Sequence, residues 1–177
     1  MFVAVYLGYY HFGQLLFYQF LHGGCHSTVL SAAFYAQKCH SFAESLCEIV
    51  YAAHSTPGCD VQYTMVGHIL VIASTVQIHT LLFSDNEEQI SKARGRLEKN
   101  FEILSQLRGY WPTLDVSFTR LRAFHQACRD SMDESFRLDQ WMLRFLSEFA
   151  EPVSDKVMGQ SPDTRLWSWE NIGSSPN

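Results

Sequence analysis

The sequence predicts an all-α fold of about six helices, packed as an irregular orthogonal or antiparallel array with no sheet. Three observations carry that expectation. Apolar residues recur at helical spacing through most of the chain, caps and terminators punctuate the pattern, and no alternating apolar–polar run is bounded by hairpin turns. The chain has 177 residues, 47% of them hydrophobic, 14% aromatic and only 18% charged, which excludes a disordered or fibrous polymer. Its net charge of -5 also argues against a free-standing nucleic-acid binder, since phosphate recognition needs a basic surface. Charge is unevenly placed. The first charged residue is Lys38, and residues 1–84 hold only Lys38, Glu44, Glu48 and Asp60. A soluble domain wets its surface with charge, so this half is expected to be largely interior, or to face lipid or a partner.

The elements follow in order. Residues 3–21 are apolar nearly all round and stop at Gly23-Gly24, a helix terminator. From Val29, apolar or small residues fall at 29, 32, 36, 39, 43, 46, 50 and 53, with Gln37, Ser41, Glu44 and Glu48 opposite. That is an amphipathic helix whose narrow stripe lets a neighbour approach closely, and it ends at the turn around Pro57-Gly58. Asp60 is placed to cap a third, uncharged helix running to about Phe83.

Ser84-Asp85-Asn86-Glu87 matches a capping box for the fourth helix. Its expected core face is Ile90, Ala93, Leu97, Phe101, Leu104, Leu107 and Trp111, with Glu88 four residues before Lys92 on the outside. Gly109 and Pro112 close it. A fifth helix aligns Leu114, Phe118, Leu121, Phe124 and Cys128, and a sixth aligns Leu138, Trp141, Phe145 and Phe149. The helical domain is therefore expected over 1–151. Residues 152–177, rich in Pro, Gly and Ser, read as a flexible C-terminal tail. Within it, residues 163–170 set Leu166, Trp167 and Trp169 among acidic side chains, a composition found in activation segments, although an inert tail is the plainer reading of one short cluster.

Candidate sites are few. Five cysteines at 25, 39, 47, 59 and 128 form no close pair, so neither a disulfide framework nor a zinc ribbon or binuclear zinc cluster is encoded here. His22, Cys25 and His26 could offer metal-binding atoms, but a glycine turn with incidental polar side chains is the plainer account. His68 and His79, three helical turns apart, share a face at about 16 Å and cannot hold one ion together. Arg94, Arg96, Lys99 and Arg108 make a basic stripe, but Glu87, Glu88, Glu98 and Glu102 are interleaved with it, which reads as a solvated mixed-charge face. No nucleophile elbow, phosphate loop or dinucleotide fingerprint occurs. No catalytic, cofactor-binding or metal residue is assigned, and the chain is expected not to be an enzyme. The uncharged segments 3–21 and 65–83 are each long enough to span a bilayer, so a small two-span membrane protein is the alternative.

The ordered motifs resemble one family. Tyr10-His11 followed by Leu15-Leu16-Phe17-Tyr18-Gln19-Phe20-Leu21 is similar to a helix of the fungus-specific transcription factor regulatory domain. This is the middle-homology region that follows binuclear zinc-cluster DNA-binding domains. Ala93 and Leu97, Leu104-Ser105-Gln106-Leu107, Tyr110-Trp111-Pro112 and Phe136-Arg137-Leu138-Asp139-Gln140-Trp141-Met142 resemble its closing helices, so the likeness runs over residues 5–150. Gln19 followed directly by Phe20 stands where the family has a basic residue and a proline. The resemblance implies the C-terminal portion of a nuclear regulatory region that modulates transcription by RNA polymerase II. It implies no zinc in this chain, because the family's cluster would lie upstream. It also implies partners among the transcriptional machinery or co-regulators, no direct nucleic-acid contact and no membrane, with a homodimer and a small effector left open. If upstream helices normally cover residues 3–21, then Phe2, Tyr6, Tyr9, Phe12 and Phe17 are expected to form an exposed patch.

Overall fold

Uncharged stretches, narrow stripes and caps resolve into six α-helices in the computed structural model, which describes residues 2–21, 29–59, 61–130, 139–148, 151 and 153. Among the described residues none lies in a strand. The helices are α1 (Phe2–Phe17), α2 (Val29–Ser55), α3 (Thr64–Phe83), α4 (Glu87–Tyr110), α5 (Asp115–Asp130) and α6 (Gln140–Ser147). The fold class is all-α, as the periodicity predicts. The Gly23-Gly24 terminator, Asp60, Leu138, Phe149, the stretch 163–170 and the metal candidates His22, Cys25 and His26 lie outside the described residues.

Helix α1 ends earlier than the sequence suggests, at Phe17, and tightens into a 3-10 turn over Tyr18–Phe20. Tyr18 on that turn is fully buried, and its hydroxyl donates to Thr75 on α3 at 2.7 Å. A polar anchor inside the core draws the chain inward at the point where a straight helix would run past it. Helix α2 keeps its expected stripe: Ala32, Cys39, Ala43, Leu46, Val50 and Ala53 are buried. The small side chains bring α1 close enough that a Cβ on Gly13 would strike the ring of Phe42.

Helix α3 is the centre of the molecule and contacts α1, α2, α4 and α5. Every residue from Val66 to Ile78 is buried. Helix α4 starts from a different cap than the capping box implies. Asn86, not Ser84, accepts from the backbone N–H groups of Glu88 and Gln89, at 3.0 and 3.2 Å. Its core face is also rotated: Phe101 and Trp111 are exposed, while Asn100 and Ile103 join Ala93, Leu97, Leu104 and Leu107 inside.

Trp111 Nε1 donates to the Gln62 carbonyl at 2.7 Å, and Pro112 opens a 3-10 turn ending at Leu114. Leu114 packs onto Gly67 of α3 so closely that a Cβ there would overlap it. Helix α5 buries Leu121, Phe124 and Cys128 as expected, and adds Arg120. Helix α6 is capped by Asp139, which accepts from Met142 N–H at 2.7 Å, and it buries Met142, Phe145 and Leu146.

Candidate functional site

Among the described residues, the histidines and cysteines that could be ligands by spacing tie helices together instead. His68 does not pair with His79. It meets His11 of α1 with ring centroids 5.8 Å apart, while His79 meets His40 of α2 at 5.7 Å. Gln14 Nε2 lies 3.2 Å from His11 Nδ1, and the Thr80 hydroxyl lies 3.3 Å from His40 Nδ1. Each histidine pair thus stitches α3 to a neighbouring helix. Among the described residues, no group of three or more His, Cys, Asp or Glu side chains is placed to hold a metal ion.

Arg120 completes the first junction. It is 2% exposed, and its guanidinium donates to the backbone carbonyls of Phe145 and Glu151 while lying 4.7 Å over the Phe145 ring. The chain leaving α6 is therefore held by a cation on α5. Burial, the Arg120 charge and His11 together push His68 down to about 4, against the smaller opposing effect of the hydrogen bond that its ring makes to the Leu146 backbone. Burial lowers His11 as well. Both imidazoles are neutral near pH 7, which lets two histidines and an arginine share one interior.

A second polar knot links α2, α3 and α4. The Tyr51 hydroxyl donates to Asn100 Oδ1 at 2.7 Å, and Asn100 Nδ2 donates to Ser74 Oγ at 3.0 Å and to Cys47 Sγ at 3.5 Å. Asn100 is wholly buried, and both ends of its amide are satisfied, the condition under which a buried polar network specifies a packing rather than weakening it. Burial raises the Cys47 thiol to about 11 and raises Cys39 as well. These cysteines remain protonated near neutrality and are poor nucleophiles.

The basic stripe of α4 is largely partnered. Arg96 reaches Glu44 at 3.0 Å and Glu48 at 3.8 Å on α2, Lys99 lies 4.6 Å over the Tyr51 ring, and Arg108 pairs with Asp115. The partners are not the interleaved Glu87, Glu88, Glu98 and Glu102 expected from sequence but groups on other elements, so Arg96 and Lys99 tie α4 to α2 and Arg108 ties it to α5. A shallow depression of about 300 Å³ between Glu48, Tyr51, Arg96 and Lys99 lies on this stripe.

The outward face of α1 differs from all of these. Val5, Tyr6, Tyr9, Phe12 and Leu16 are 69%, 52%, 60%, 70% and 64% exposed. Tyr6, Tyr9 and Phe12 match the expected patch. Phe17 does not, because it is half-buried and stacked on Tyr35 at 5.4 Å and Phe42 at 5.9 Å. The Phe2 side chain lies outside the described residues. Val5 and Leu16 were missed, although their spacing from Tyr9 and Phe12 places all four on one helix face. Beside this face an apolar groove of about 380 Å³ runs between Val3, Tyr6, Tyr10, Ile49, Ala52 and Cys59. Among the described residues one helix, Thr64–Phe83, is long and apolar enough to cross a membrane, and 72% of its apolar window is buried within the protein. Helix α1, at 16 residues, falls short of the span expected over 3–21.

No protein-family model matches the chain, and no curated protein or solved structure matches it either.

Proposed function

We propose that this chain is a non-enzymatic helical regulatory domain of the fungal zinc-cluster transcription factor type. In this reading it acts in the nucleus, controls RNA polymerase II transcription through protein contacts, and leaves DNA recognition and zinc binding to an upstream region. The observation that carries the reading is the ordered series of motifs from Tyr10-His11 to Trp141-Met142. Their positions do the work of a helical scaffold. His11 joins α1 to α3, Leu104 and Leu107 are core, Trp111 ties the end of α4 to Gln62, and Asp139 caps α6. The polar interior is consistent with this: its histidines, cysteines and asparagine hold helices together, and its thiols are protonated. An exposed apolar face on α1 offers what a regulatory domain needs, a surface for protein contacts, a second copy of the chain included.

The test is tethering. Residues 1–177 fused to a heterologous DNA-binding domain should change the output of a matched reporter and should accumulate in the nucleus. A Phe12→Glu chain should express equally and lose much of that change. Reporter output equal to that of the bare DNA-binding domain, or recovery of the chain only in carbonate-resistant membranes, would overturn the proposal.

A further inference from the structure

We infer that the outward face of α1 is a self-docking surface that binds a second copy of this chain, with the two α1 helices antiparallel about a two-fold axis. The inference goes beyond the regulatory reading and does not depend on it. It begins with two glycines of the same helix. Gly13 is required by the chain's own packing, since Phe42 occupies the space a side chain would take. Gly8 is not: among the described residues, a Cβ there would meet nothing within 4 Å. Glycine is disfavoured in a helix interior, and nothing among the described residues accounts for this one. It lies on the open face, beside exposed Ala4 and the exposed side chains of Val5, Tyr9, Phe12 and Leu16.

The pattern on that face is self-complementary. Ala4, Gly8, Phe12 and Leu16 form one ridge at four-residue spacing, two small residues followed by two large. When a second α1 runs antiparallel, Phe12 of each copy faces Gly8 of the other, and Leu16 faces Ala4. Val5, Gly8, Tyr9 and Phe12 stand at i, i+3, i+4 and i+7, the four positions that form the hole for a knob from a facing helix. Absence of a side chain at Gly8 makes that hole deep enough for the Phe12 ring of the other copy.

Charge and area agree. The whole chain carries a net charge of -5, yet α1 contains no Asp, Glu, Lys or Arg, so two copies meet here without bringing like charges together. The exposed fractions of Val5, Tyr9, Phe12 and Leu16 leave on the order of 500 Å² of apolar surface. That is more than half of the ~800 Å² one side of a standard interface buries. Exposed Tyr6 extends the face at its edge, and a dimer of micromolar affinity is the expectation.

Sedimentation velocity of the full 177-residue chain, run from about 1 to 100 µM, reads this directly. The wild-type chain should shift from one 20.3 kDa subunit to two across that range. Phe12→Glu and Gly8→Gln should each raise the dissociation constant at least ~10-fold, with helical circular dichroism unchanged because both side chains enter open space. The register has its own test. Gly8→Phe alone clashes with its copy and Phe12→Ala alone leaves a void, so each should lose self-association. An equimolar mixture pairs large with small twice and should associate to within ~10-fold of wild type. A wild-type chain that stays monomeric at the highest concentration would overturn the inference, as would variants that dimerise like wild type or a mixture that fails to associate. A monomer that instead floats with phosphatidylcholine vesicles would overturn it in favour of a lipid surface.

Discussion

Helices α1 and α3 are nearly the same object in sequence and opposite objects in the fold. Each is uncharged and rich in aliphatic and aromatic residues. Helix α3 is enclosed by four other helices and buries every residue from Val66 to Ile78. Helix α1 rests against α2 and part of α3, burying Leu7, His11 and Gln14 while Val5, Tyr9, Phe12 and Leu16 face outward. Lack of charge therefore states only that a surface is not designed for water. Whether that surface is spent inside the subunit or kept for another molecule depends on how many neighbours the fold places around it.

The contrast should be largest for core truncation. Leu70→Ala, at a fully buried position on α3, should destabilise the chain by ~2–5 kcal/mol. Phe12→Ala removes a larger side chain from α1 and should change the stability of the dilute monomer by less than ~0.5 kcal/mol. Urea denaturation at low protein concentration compares them, and similar losses at the two sites would break the distinction between the helices.

Protonation should act on the junction between the same two helices. The His68 pKa falls from 6.5 in the unfolded chain to about 4 in the folded one, and His11 shifts the same way. Stability is then whole above pH 6.5 and is lost as pH falls from 6.5 toward 4, while the unfolded chain gains protons that the folded chain refuses. Between neutrality and about pH 5 the loss attributable to His68 should be ~2 kcal/mol. Burial is the chief barrier to protonation there and the Arg120 charge adds to it, and removing the imidazole in His68→Gln should flatten this part of the stability profile.

The glycines sharpen the comparison with the smallest effects. Gly67→Ala on α3 drives a methyl group into Leu114 and should destabilise by ~1–3 kcal/mol. Gly8→Ala on α1 meets open space and should stabilise the dilute monomer by up to ~1 kcal/mol. Thermal unfolding of the two variants should move in opposite directions, and a destabilised Gly8→Ala monomer would show that α1 is more crowded than its exposure indicates.

What could be read from sequence divides along physical lines. Helix positions follow from spacing and punctuation, so the six elements and the α2 stripe from Ala32 to Ala53 were legible. So was the exposed aromatic character of Tyr6, Tyr9 and Phe12, because the charge arithmetic left α1 with more apolar surface than the expected helices could cover. The polar interior was less legible. Asn100 and Arg120 were assigned to no core face because burial of an amide or a guanidinium is set by its partners, and Ser74, Tyr51 and the Phe145 carbonyl come from distant parts of the chain. Asn100 did carry a signal: it lies three residues after Leu97 and four before Leu104, on their face. The cap of α4 moved from Ser84 to Asn86 because Asn86 offers its carbonyl to two backbone N–H groups, while Ser84 turns to Gln89. The pairing of His68 with His11 rather than His79 needed the α1–α3 crossing, which no local spacing encodes.

Matched cysteines test the central contrast most directly, because one substitution can be made on each helix with the same change in volume. Ala4→Cys on the open face of α1 and Ala73→Cys at a fully buried position on α3 differ only in surroundings. In dilute native protein, maleimide labelling followed by peptide mass spectrometry should modify Cys at position 4 at nearly the rate of a free thiol. Cys at position 73 should react only as the chain unfolds. Labelling at position 4 as slow as at position 73, in protein dilute enough to be monomeric, would contradict the account and place α1 inside the subunit.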